Sequence, residues 1–238
     1  MAPTIPMPPT TTIITTIMDT DGQSLVRLMT WLSPAFPVGG FAYSSGLERA
    51  VHDGQVGDAD ALLDWLGVLL SHGTWWNDAV LLAEAWHAHD DPQRLNDVIE
   101  LAGALAGSAE RHLEVIAQGE AFIAAADAWP HAVIDRLGES AAYSVAVGAI
   151  AAAHGIPLKR TIAAYLHAVS SQSVSAAIRL GVLGQRRGVA TLARLETTIL
   201  RTAGEASNST LDDLGSASVI ADLSAIRHET QHSRLFRS

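Results

Sequence analysis

His228-Glu229-Thr230-Gln231-His232 fits H-E-x-x-H, the pattern in which two imidazoles one helical turn apart share a zinc ion while the glutamate activates water. A zinc-dependent hydrolase is therefore the alternative reading to be weighed. Zinc sites of this kind usually take a third ligand downstream, and the six residues after His232 contain no His, Asp or Glu. His87 and His89 form H-x-H, a spacing that turns the two rings to different sides of a helix and suits solvated histidines better than a chelate. The single lysine, Lys159, stands between Leu158 and Arg160, so G-x-x-x-x-G-K-[ST] is absent and no phosphate-cradling loop is expected. Neither G-x-G-x-x-G nor the G-x-S-x-G elbow occurs. With no cysteine, thiol catalysis, thiolate metal sites and disulfides are excluded. The expectation is a protein that is not an enzyme, with no catalytic residue, cofactor or metal ligand set.

The elements that would carry these residues read as helices. Leu25, Leu28, Met29 and Leu32 fall at i, i+3, i+4, i+7, as do Ile162, Tyr165, Leu166 and Val169, with Val174, Ala177 and Ile178 continuing an apolar face. Asp58 is placed to cap a helix carrying Leu62, Leu63, Trp65, Leu66, Leu69 and Leu70. His154-Gly155-Ile156-Pro157 puts a stop-type glycine before a start-type proline. Further helices are expected over 78–89, 94–105, 109–128 and 185–201, with breaks at 33–40, 90–92, 129–131 and 202–214. No strand-type alternation runs to a useful length. The fold expected is all-α, a single-domain bundle of roughly eight to ten helices over 22–238, with a partner-binding tail from about 203 to 238.

Composition narrows the function classes. A chain of 238 residues with 48% hydrophobic residues can bury a sizeable core. Residues 1–21, rich in Pro and Thr, lack the basic and apolar segments of a secretory signal and read as a disordered leader. The apolar run 141–153 is shorter than the roughly 20 residues a membrane span needs and reads as a buried helix. A net charge of -10 opposes binding to a phosphate backbone. The charged fraction is 17%, below the roughly 25% of typical domains. Partner surfaces would absorb such an apolar surplus, and so would alanine-rich helices; composition leaves both open. No nucleic-acid or membrane partner is expected, and the location expected is cytoplasmic.

The most unusual stretch is Leu32 to Glu48, L-S-P-A-F-P-V-G-G-F-A-Y-S-S-G-L-E. Pro34 and Pro37 stiffen it, while Gly39 and Gly40 permit positive φ or close backbone approach. Phe36 and Phe41 are expected to anchor the loop in the core, with Tyr43 open between core and surface. Residues 33–48 closely resemble the N-terminal signature of UreF urease accessory proteins. Two further segments agree with that family: Ser175 to Gln185, S-A-A-I-R-L-G-V-L-G-Q, resembles its S-A-A-x-R-L-x-P-L-G-Q, and Arg227 to Phe236, R-H-E-T-Q-H-S-R-L-F, resembles its R-H-E-T-Q-Y-S-R-L-F. Val182 stands where the family usually has proline, and His232 where it commonly has tyrosine. The second departure makes H-E-x-x-H a Tyr-to-His difference in a partner-binding tail, against the zinc reading.

The resemblance implies an all-helical chaperone for nickel insertion that dimerises and binds the UreD (UreH) accessory protein. With it, such a protein recruits the GTPase UreG to the urease apoprotein, so that the nickel metallocentre is assembled. UreG carries the P-loop and the nickel ligands in that scheme. Carried over residue by residue, the candidates for partner contact are Pro37, Gly39, Gly40 and Tyr43 in the loop, Arg179 in the middle segment, and Arg227, His228, Glu229, Arg234 and Phe236 in the tail.

Overall fold

The computed structural model describes residues 20–138 and 140–238; of the leader expected over 1–21, only Thr20 and Asp21 fall within them, at the start of the first helix. The described residues form eleven α-helices: α1 (Thr20–Trp31), α2 (Leu47–His52), α3 (Ala59–His72), α4 (Thr74–Ala88), α5 (Pro92–Ala104), α6 (Ala109–Ala126), α7 (Ala132–Leu137), α8 (Tyr143–Ala153), α9 (Leu158–Arg179), α10 (Gln185–Ala206) and α11 (Val219–His228). Two 3-10 turns, at Gly40–Ala42 and Leu211–Asp213, complete them. No strand occurs among the described residues. The all-α bundle expected from periodicity is the fold observed. The helices share one continuous core, and α2 and α7, six residues each, are the two elements the sequence reading did not anticipate.

The axis of the bundle is α8, whose residues 143–152 are buried on every side. A helix apolar all round belongs inside a protein or a membrane. Here α4, α6 and α9 enclose it, and no helix among the described residues is long and apolar enough to cross a membrane. Its contact with α4 is backbone-close: a Cβ on Gly148 would stand 2.3 Å from the Leu82 carbonyl oxygen. Around this axis α3 buries Leu62, Leu66, Leu69 and Leu70, and its first turn is capped by Asp58, which accepts from the amides of Asp60 and Ala61. The chain reverses between α8 and α9 at Gly155, φ +68°, as the Gly-Ile-Pro sequence predicts.

Two helices depart from the sequence reading in informative ways. In α1 the apolar spacing marks the helix but not its buried side. Ser24, Leu28 and Trp31 face inward, while Leu25, Val26 and Met29 are exposed. Trp31 decides this orientation, because its fully buried ring packs against Phe122, Trp129 and His154, more apolar area than the smaller side chains offer. In α10 the helix runs five residues into the expected 202–214 loop, because Thr202, Ala203 and Ala206 continue the buried face begun by Leu195 and Ile199.

Gly148→Ala is expected to force α4 and α8 apart and destabilise the fold by about 2 kcal/mol or more, read as a lowered midpoint of urea unfolding. An unchanged midpoint would show that the two helices are not in backbone contact.

Candidate functional site

The three segments far apart in sequence meet in the folded chain. The first, the loop after α1, takes its shape from two adjacent glycines with different tasks. Gly39 sits at φ +70°, in the left-handed region where a side chain is strained. Gly40 is close-packed, since a Cβ there would meet the Gln172 carboxamide at 2.3 Å, and Gln172 Nε2 donates to the Gly40 carbonyl at 2.5 Å. The loop thereby lies along α9. Phe36 and Tyr43 are buried, whereas Phe41, expected in the core, is 75% exposed. The turn at Gly40–Ala42 points it outward, with its carbonyl accepting from Arg179 Nη1. Pro37 is exposed and Gly39 half-buried.

The tail follows α11 and closes against this loop. At its centre is Glu48 of α2, a buried carboxylate. One of its oxygens accepts the Leu235 amide at 2.7 Å, and the other accepts the Phe236 amide at 2.9 Å and faces His228 Nε2 at 3.1 Å. His228, fully buried, presents its other ring nitrogen to Glu110 of α6 at 2.6 Å. Arg234 donates to the second oxygen of Glu110. Glu229 accepts from the Ala109 amide at 2.8 Å, at the N-terminus of α6, where a carboxylate complements the helix dipole. Phe236 is buried with the Arg179 guanidinium 4.3 Å above its ring, a cation-π contact. Arg179 thus joins all three segments: it lies at the end of α9, holds the loop through Phe41 and covers the tail through Phe236. Main-chain bonds complete the closure, Arg237 N to Ala42 O and Ser44 N to Ser238 O.

Beneath the tail the polar contacts continue inward. Ser238 Oγ donates to Glu114 at 2.9 Å, and so does Ser45 Oγ. Arg111 bridges Glu114 at 3.1 Å and Asp78 at 2.5 Å, and Tyr165 donates to the same Asp78 oxygen at 3.0 Å. Burial opposes the charge on Arg111, but the Asp78 and Glu114 carboxylates outweigh it and hold its pKa above the ordinary value. Burial, with Asp78 adding to it, raises the Tyr165 pKa and keeps it a phenol donor. This network ties α4, α6 and α9 to the docked tail through charge-assisted bonds.

The geometry also decides what H-E-x-x-H can do here. The helix stops at His228, and Glu229 to His232 lie in the turn beyond it, so the two imidazoles are not stacked one turn apart. Both His228 nitrogens already face carboxylates of the chain, while His232 is exposed. No group of three potential metal ligands occurs among the described residues.

Arg227 and Arg234 are exposed and Glu229 is half-buried. The outer side of α11 carries Val219, Ile220, Leu223 and Ile226, and these, with Leu113 of α6 and Leu235 of the tail, are exposed as well. Tyr43, His228 and Phe236, candidates for partner contact, instead have their side chains inside the chain. The sequence reading also missed the carboxylates that hold the tail. Glu48 closes the loop motif itself, and Glu110, Glu114 and Gln118 form an i, i+4, i+8 polar stripe on α6, beside the positions that bury Val115 and Phe122. That stripe was the available signal.

Comparison with known proteins adds family membership. The UreF family model matches residues 56–196. The urease accessory protein UreF of Agrobacterium fabrum is 61% identical over 215 residues, 90% of this chain and 96% of that protein. That of Rhizobium etli is 58% identical over 220 residues, 92% and 99% of the two chains. The urease accessory protein UreF 1 of Brucella abortus is 54% identical over 227 residues, 95% and 100%.

Removing the Glu48 carboxylate leaves two amides and an imidazole without their buried partner. Glu48→Ala is expected to cost about 3 kcal/mol or more in urea unfolding and to expose Arg234 and Arg237 to rapid tryptic cleavage. Cleavage at the wild-type rate would mean that the tail is held by other contacts.

Proposed function

Since the chain belongs to the UreF family of urease accessory proteins, which are not enzymes, we propose that it acts as a binding scaffold in nickel insertion. In this reading it joins a UreD/UreH-type accessory protein to a UreG-type GTPase on the urease apoprotein, in the cytoplasm. Nickel is the cargo of that assembly and is not resident in this chain.

The observation that carries the reading is the surface built by α11 and the tail. Four large apolar side chains of α11 are exposed, as are Leu113 of α6, Leu235 of the tail, and the arginines Arg227 at the end of α11 and Arg234 next to Leu235 in the chain. An apolar centre with arginine beside it has the composition of a protein interface. Exposed apolar groups of this kind mark interaction sites on soluble proteins. The docked tail holds that surface in one shape, so ordering cost is met before a partner arrives. Among the candidates, Arg227 and Arg234 are proposed as contacts of this surface, and Pro37 and Gly39, which line the groove described next, as contacts of the second. Tyr43, Gly40, His228, Glu229 and Phe236 are proposed to act from within, by shaping the loop and tail, and Arg179, itself exposed, to fix both from the surface.

The homodimer expected of the family is proposed to use a second surface. A groove of 410 Å³ runs between the 32–41 loop and the 167–179 side of α9. Exposed Phe41 is among the residues that line it. A knob beside a groove on one chain suits a two-fold contact in which each copy fills the other.

Leu223→Asp combined with Ile226→Asp is expected to leave urea unfolding within about 0.5 kcal/mol of wild type. The same pair should weaken capture of a UreD/UreH-type partner at least about tenfold, roughly 1.4 kcal/mol. Undiminished capture would remove α11 from the interface. Phe41→Asp is expected to shift sedimentation from dimer to monomer; an unshifted dimer would place the two-fold contact elsewhere.

A further inference from the structure

We propose that tail docking is a proton-linked latch, closed by one proton shared among His228, Glu48 and Glu110 and released when that proton is lost. Both ring nitrogens of His228 face carboxylate oxygens, Glu110 at 2.6 Å and Glu48 at 3.1 Å, and the ring has no exposure to water. A neutral imidazole has one N–H and one bare lone pair. With all three groups deprotonated beyond that point, the lone pair would stand against a carboxylate oxygen with no hydrogen between them, at a buried position where water cannot replace it.

The charges around the ring lead to the same conclusion. From α2 comes Glu48 and from α6 Glu110; the tail contributes Arg234, on Glu110. Glu229 is turned to the Ala109 amide and does not face the imidazole. Two carboxylates against one guanidinium leave a buried excess of one negative charge, which the shared proton neutralises.

The consequence follows from what Glu48 holds. Its oxygens also accept the Leu235 and Phe236 amides, so repulsion at His228 loosens the segment that the Arg179 guanidinium covers. The docked state binds one more proton than the open state, and docking therefore weakens as pH rises. This regulation matters to partner binding only if α11 and the tail are the docking surface, as proposed above; the latch itself is a property of the chain alone.

Amide hydrogen exchange on the full chain without partners, followed from about pH 6 to about pH 9, reads the latch directly. Rates are corrected for intrinsic exchange, and α8 amides serve as reference. Protection of residues 233–238 is expected to fall at least about tenfold over that range while α8 stays protected. In Glu110→Gln the carboxamide can donate to a bare imidazole nitrogen, so protection is expected to become independent of pH. Flat protection in the wild type overturns the proposal, as does a fall that Glu110→Gln leaves unchanged or one that α8 shares. Loss of partner capture in the α11 variants is a separate readout, so either idea can fail without the other.

Discussion

A carboxylate buried in a protein must be surrounded by donors, or its desolvation is uncompensated. At Glu48 the Leu235 and Phe236 amides donate from a chain segment about 180 residues away, and the His228 ring of that segment faces the same carboxylate. The side chain at the end of the loop motif therefore specifies where the tail must lie, and nothing local satisfies it. Once the tail is down, Phe236 is buried beneath Arg179, Arg234 meets Glu110, and the outer side of α11 is fixed relative to the bundle. The candidate site is a consequence of one acid's hydrogen-bond requirement.

The bundle supplies a platform stiff enough to make that requirement effective. With α8 enclosed and α4 in backbone contact with it at Gly148, the helices bearing Glu110, Glu114 and Arg179 have little freedom to adjust. Close packing transmits such constraints, because interiors hold few voids larger than a water. The Asp78–Arg111–Glu114 chain carries the same rigidity inward from the tail. Its charges are mutually satisfied, so they specify one arrangement of α4, α6 and α9 and do not merely add strength.

Much of the fold was legible in the sequence because helix periodicity and capping are local. Asp58, the Gly155–Pro157 junction and the apolar α8 each act through near neighbours, and each stands where its sequence placed it. The site was less legible because its key contacts are non-local. Glu229 reads as half of a zinc motif until the helix is seen to end at His228. Phe41 reads as a core anchor until Gly39 turns the chain and exposes it. In α1 the spacing identified the helix, while the aromatic pocket awaiting Trp31 chose its buried side. The tail's partners were hidden for the same reason: acids on α2 and α6 show their meaning only when the chain brings them together.

The central claim, that a direct Glu48–His228 interaction organises the docked tail, is tested by a double-mutant cycle of Glu48→Gln and His228→Gln in urea unfolding. The account predicts a coupling of about 1 kcal/mol or more. Additivity of the two single effects within about 0.3 kcal/mol would contradict it.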